Sequence, residues 1–163
     1  MAIARFMKVS LEQFEKDVLR LKGDFNREWY DDIILPKRAT KGSAGYDFYC
    51  PYDITIKAGQ MVSIPLGIRV KMEEGYVLNI YPRSSMGFKY QMMLANTTGI
   101  IDSDYFEADN EGHVISVIVN RGDKDIILKK GDRFVQGIFL AYYLAEEEDE
   151  FARRTGGYGS SGK

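Results

Sequence analysis

The amino-acid sequence predicts an all-β fold, a sandwich or barrel, with one added helix near its N-terminus. Three observations lead there. From Ile33 onward the chain is a series of short apolar runs rich in Val, Ile and Tyr, separated by Gly, Pro and Asp, the pattern of strands and turns. Eight or more such runs occur without a second long helical pattern, and their spacing suits a sandwich or barrel. Residues 11–25, by contrast, carry apolar side chains at intervals of three and four, the period of an amphipathic helix.

The elements follow in order. Residues 3 to 9 read as a first strand. Ser10 then offers a helix N-cap, with Gln13 placed to reciprocate as in a capping box. Leu11, Phe14, Val18, Leu21 and Phe25 form one apolar stripe, and Gly23 weakens the last turn, so the helix ends between Leu21 and Phe25. Its mixed charges suit a cover for a core or a subunit better than contact with an anionic bilayer. The strand-like runs are DIILP, GYDFY, ITI, MVSIPLGIRV, YVLNIYP, GHVISVIV, KDIILKK and RFVQGIFLAYYLA. The acidic residues 146–150 read as a solvated linker. Beyond it lies RRTGGYGSSGK, residues 153–163, whose four glycines fit either a frayed terminus or a flap that orders over a ligand.

With 163 residues and 45% apolar content, the chain has material for one sizeable core and too little for two ordinary domains. Residues 1–152 are read as a single β domain with a helical insertion at about 10–25, and residues 153–163 as a flexible tail. A net charge of −2 argues against stable nucleic-acid binding, which needs a basic surface; a few local arginines can still hold a small anion. Cys50 is the sole cysteine, which excludes an intramolecular disulfide and a thiol metal cluster. Residues 1–20 carry charges every few positions and no apolar run fit for a signal or membrane segment. The chain reads as soluble and cytoplasmic. The one histidine, His113, builds no multi-histidine metal site and reads as incidental, on a charged loop or strand edge.

Two stretches offer chemistry. PRSSMG, residues 82–87, supplies a fixed cation, two hydroxyls and a run of backbone amides suited to a phosphate or carboxylate; it is equally readable as a serine-rich turn. NTTGIIDSDY, residues 96–105, sets an amide, a glycine and two aspartates about an apolar pair. In a hairpin, Asn96 and the backbone near Gly99 can read a planar ring edge, and Asp102 and Asp104 share a face if the stretch stays extended. The other reading is an Asp-Ser-Asp turn between strands.

In order along the chain, SAGYDF (43–48), PRSSMG (82–87), GIIDSDY (99–105), GDRFVQGIF (131–139) and RRTGGYGSSG (153–162) resemble the five motifs of the trimeric-type dUTPase family. The resemblance spans about 120 residues. It implies a distorted jelly-roll β-barrel of the dUTPase type, assembled as a homotrimer with three sites between subunits. It also implies cleavage of dUTP between the α and β phosphates to dUMP and pyrophosphate, with Mg²⁺ on the triphosphate and no direct protein ligand to the metal.

Residue by residue, the resemblance makes Asp102 the carboxylate that activates the attacking water. Tyr105 lies against deoxyribose, and Asn96 with Gly99, Ile100 and Ile101 reads the uracil edge. Arg83, Ser84, Ser85 and Gln136 contact phosphate, and Asp47 organises the site and the water around the metal. In the tail, Arg153 reaches the terminal phosphate, Tyr158 takes the place of the usual phenylalanine over uracil, Gly159 adjoins it, and Ser160 binds phosphate. The implied chemistry is coherent. Water is a poor nucleophile, so a carboxylate near the α phosphorus has a role as base, and bonds to a nucleotide can offset the roughly 1–2 kcal/mol per residue that ordering a tail costs.

The sequence departs from the family pattern in three places. FEADNE, residues 106–111, inserts about five residues between Tyr105 and the expected glycine, Gly112, and reads as a surface excursion. The helix at about 10–25 precedes the usual entry LPKRATKGSAGYD, and either decorates the trimer exterior or covers the body. Arg154 stands where glycine is common. These leave two further readings: a dCTP deaminase-like nucleotide enzyme, disfavoured by the fifth motif, and a nucleotide-responsive module that binds a regulatory protein partner.

Overall fold

The structure, a computed structural model, describes residues 2–146. Strand β1 (Ala4–Lys8) leads into helix α1 (Leu11–Lys22). Ser10 is extended at the N-cap and its Oγ accepts from the Gln13 N–H at 3.1 Å. Arg20 and Lys22 sit in the last turn, where cations complement the helix dipole, and Gly23 closes the C-terminus. The predicted stripe is the buried one: Phe14 and Val18 are fully enclosed, each contributing about 1.5–3 kcal/mol. The helix covers the body of the fold by packing against the sheet.

A short helix α2 (Arg27–Asp31) follows, capped by Asn26, which the apolar spacing did not predict. DIILP is not a strand. The Ile33 N–H bonds back to the Tyr30 carbonyl, Pro36 has no N–H to give a ladder, and only β2 (Lys37–Arg38) pairs, while Ile33 packs on the core. Strands β3 (Tyr46–Tyr49) and β4 (Ile54–Ile56) come next. MVSIPLGIRV divides at Leu66 and Gly67 into β5 (Met61–Pro65) and β6 (Ile68–Met72), which join different sheets.

Strand β7 (Tyr76–Pro82) runs into helix α3 (Ser84–Tyr90), so the serine-rich segment is helical rather than a turn. Strands β8 (Met92–Leu94) and β9 (Gly99–Ile101) follow, but they do not pair as the hairpin considered for this stretch: β8 joins β10 and β9 joins β7, so residues 95–98 cross between two sheets. The extended arrangement considered for Asp102 and Asp104 is not found: β9 stops at Ile101 and a 3-10 turn takes residues Asp104–Glu107. Strands β10 (Ile115–Asn120), β11 (Ile126–Leu128) and β12 (Arg133–Ala141) complete the order.

All pairings are antiparallel. A five-stranded sheet has the order β2-β3-β12-β7-β9, a three-stranded sheet β5-β10-β8, and two ribbons β1-β6 and β11-β4. Strand β10 shows why sequence patterning led to sheets: alternate residues face the core, and among them Asn120 is buried with its amide donating to the Ile56 and Lys124 carbonyls. Phe48, Leu78, Ile80, Ile118 and Phe134 fill the space between the sheets. The architecture is a β fold of jelly-roll type with the predicted added helix. Among the described residues, no helix is long and apolar enough to cross a membrane.

Candidate active site

Neighbouring strands bring the first group of predicted residues together. Asp47 on β3 stands across from Gln136 on β12, and Gln136 across from Tyr81 on β7. Arg83 follows the end of β7 and occupies the N-cap position of α3. Asp47 is 6% exposed. Its Oδ1 receives Arg83 Nε at 2.9 Å and its Oδ2 receives Arg133 Nη1 at 3.1 Å, so one carboxylate orients two guanidinium groups. Arg83 Nη1 also reaches the Arg133 carbonyl at 3.4 Å.

Gln136 donates to the Pro82 carbonyl at 3.4 Å. Gly45 gives it room: a Cβ there would lie 2.6 Å from Gln136 Oε1. Ser84 and Ser85 are exposed in the first turn of α3, where backbone N–H groups have no partner within a helix. Two cations against one carboxylate leave this corner positively charged. Arg133 was missed at the level of sequence. It was visible as the arginine of GDRFVQGIF, but its link to Asp47 spans 86 residues.

The second group lies on the β8–β9 connection and on β9. Asn96 is exposed in that connection, where the Thr97 φ is +63°, an uncommon backbone state for a β-branched residue. Strand β9 is the edge of its sheet, so one row of its backbone groups faces away from β7. Ile100 is 60% exposed. Between β9 with the connection before it and strand β10 is a slot of about 30 Å³, lined by Asn96, Gly99 and Ile101 on one side and by residues 114–117 on the other.

The two groups are not adjacent within one chain. Gly99 pairs with Ile80 and Ile101 with Leu78, a register that carries Asp102 alongside Val77. Arg83 is six residues farther along β7, a separation of roughly 20 Å at strand rise. That is beyond the reach of an arginine side chain, so the carboxylate and the cation corner of one chain face different places.

Tyr105 sits in the 3-10 turn, 7% exposed. Its hydroxyl donates to the His113 carbonyl at 2.9 Å and accepts from Asn110 Nδ2 at 2.8 Å. His113 is the residue that sequence reasoning misjudged. It is fully buried: Nε2 accepts from the Gly67 N–H at 2.8 Å, which leaves Nδ1 to donate to Asp17 of α1 at 2.7 Å. Burial opposes ionisation of Asp17, but bonds from His113, Arg20 and Gln13 outweigh it and hold the carboxyl well below the usual range.

The insertion is not a free surface excursion. Glu111 accepts from the Ser10 N–H at 2.8 Å and from its hydroxyl at 2.5 Å, completing the helix cap from 101 residues away. Gln13 donates to Asp17 instead, so the reciprocal half predicted for it is supplied by Glu111. Arg69 stacks on Phe106 with its guanidinium carbon 3.7 Å from the ring centroid. Gly112, at φ +68°, lets the chain fold back on itself; a Cβ there would lie 2.5 Å from the Tyr105 carbonyl oxygen. The predicted tail residues Arg153, Tyr158, Gly159 and Ser160 lie outside the described residues.

No group of three or more metal-ligating side chains occurs among the described residues, and both oxygens of Asp47 are engaged by arginine.

A dUTPase family model matches residues 31–162. The deoxyuridine 5'-triphosphate nucleotidohydrolase of Lactococcus lactis is 41% identical over 133 residues, covering 80% of this chain and 89% of that protein. The crystal structure of dUTPase from Streptococcus mutans superposes with a TM-score of 0.68 at 33% identity, covering 87% of this chain and 98% of the other. A phage phi11 dUTPase of S. aureus, described with a structural Mg(II) ion, shares the fold at 16% identity and a TM-score of 0.65, covering 91% of this chain and 97% of its own. With the five motifs in order and the fold in agreement, the chain belongs to the dUTPase family.

Proposed function

We propose that this chain cleaves dUTP by in-line attack of water on the α phosphorus, in a site to which different subunits of a homotrimer contribute. It is a dUTP diphosphatase by family; the residue roles and the assembly are our reading. The observation that carries that reading is the separation of Asp102, just past β9, and the Arg83 corner by most of the length of β7. Both groups meet one substrate only if a second copy places its cation corner beside the first copy's β9 edge.

In this arrangement the edge of β9 and Asn96 read the uracil ring, and Tyr105 forms the wall against deoxyribose. Asp102 orients a water and takes its proton as the water oxygen bonds to phosphorus. The bond to the bridging oxygen breaks, and pyrophosphate leaves with the bonding electrons. Arg83, Ser84, Ser85 and Gln136 hold the phosphates, and Asp47 fixes the Arg83 guanidinium before substrate arrives, so little reorganisation is needed as charge develops. Mg²⁺, carried on the triphosphate, supplies neutralisation of its charge. Residues 153–163 close over the nucleotide, with Arg153 and Ser160 on phosphate and Tyr158, beside Gly159, on the base.

A magnesium-supplemented assay of dUTP, UTP, dTTP and dCTP side by side tests the reading. Pyrophosphate release from dUTP alone is expected. Ammonia release from dCTP, or equal turnover of UTP, would overturn it.

A further inference from the structure

Two of the departures from the family pattern, helix α1 and the insertion at 106–111, meet each other, and together they terminate on Tyr105. The path is continuous. Asp17, 3% exposed, binds His113 Nδ1, and the His113 carbonyl binds the Tyr105 hydroxyl. From the insertion, Asn110 donates to the same hydroxyl, while its own Oδ1 accepts from the Gly112 N–H at 3.2 Å. The turn is closed by the Ala108 N–H on the Tyr105 carbonyl at 3.1 Å and the Glu111 N–H on the Ala108 carbonyl at 2.8 Å. Glu111 then fastens the loop to the N-cap of α1.

We propose that Asn110 and His113 are positioning residues for sugar discrimination: they hold the Tyr105 ring in place through its hydroxyl, with α1 and the insertion as their common support. The proposal rests on the reading of Tyr105 as the deoxyribose wall. A phenol ring rejects an extra hydroxyl only as well as it is held, because a ring free to tilt yields room for a ribose 2′-oxygen. One donor and one acceptor on the Tyr105 oxygen, both from residues on the C-terminal side of the turn, restrict that tilt. The buried His113 ring, pinned at both nitrogens, keeps its carbonyl from moving with the loop.

The test is the ratio of kcat/KM for dUTP to that for UTP, measured in the full chain and in Tyr105→Ala, Tyr105→Phe, Asn110→Ala and the Tyr105→Phe/Asn110→Ala double variant. A purely structural role lowers the amount of folded enzyme and leaves this ratio unchanged. Positioning lowers the ratio in Asn110→Ala by about three- to tenfold, the change expected from one net hydrogen bond. It gives Tyr105→Phe, which removes both hydrogen bonds of the hydroxyl, at least that loss, and the double variant no loss beyond that of Tyr105→Phe, since phenylalanine leaves Asn110 nothing to bond. If Tyr105→Ala lowers the ratio and Asn110→Ala does not, positioning is overturned while the sugar wall stands. If Tyr105→Ala leaves the ratio unchanged, the sugar wall itself is wrong and the proposal fails with it.

Discussion

Replacing Asp102 by Asn keeps the size and hydrogen-bonding reach of the side chain and removes its basicity. Hydrolysis of dUTP by this variant is expected to fall by about 10²- to 10⁴-fold, the usual contribution of a positioned base, with dUTP affinity by calorimetry changed little. Unchanged turnover would remove Asp102 from its role. Asp102, Arg83 and Asn96 could be proposed from the sequence because each lies in a short contiguous stretch that resembles a family motif. Arg133 and His113 were not proposed. Arg133 matters through Asp47, and His113 through Asp17, 96 residues away, so nothing near either residue in the chain announces its partner. A solitary histidine among charged neighbours reads as a surface group, whereas here it is a hydrogen-bonded link inside the protein.

Among the elements, α1 was read correctly from its stripe and caps, and the strands from their runs. The misreadings share a cause, which is the choice of partner. DIILP has strand composition, but its proline and the returning bond at Ile33 keep it from pairing. The capping box was half right because the sequence offers Gln13 locally, while the fold brings Glu111 to the same N–H.

This joint also has a pH signature. Burial alone would raise the Glu111 pKa, but the Ser10 hydroxyl and N–H and the charge of Arg69 lower it on balance, and Asp17 is lowered as well. Groups with depressed folded-state pKa values stabilise fully above their unfolded values, near 4.5 for Glu and 3.8 for Asp, and lose that contribution as pH falls through the folded ones. Melting temperature is therefore expected to drop from about pH 4.5 downward, and Glu111→Gln to lower it at neutral pH while flattening the upper part of that fall. A Glu111→Gln protein with the parent's melting curve at both pH values would contradict the joint.

For the whole molecule, strand β7 acts as a spacer of fixed length. It bears the cation corner just past one end and, through its partner strand, the Asp102 carboxylate near the other. Sequence reading could list both sets of residues from the family resemblance, but the distance between them follows only from the register of β9 on β7. One consequence concerns mixtures of defective chains. An Asp102→Asn chain retains its arginine and an Arg83→Ala chain retains its carboxylate. If each site draws these groups from different subunits, trimers reassembled from equal amounts of the two inactive variants regain about a quarter of their sites with both groups intact. Recovered turnover from two dead proteins would be complementation between copies of the same polypeptide, and a mixture that stays inactive would mean that each chain works alone.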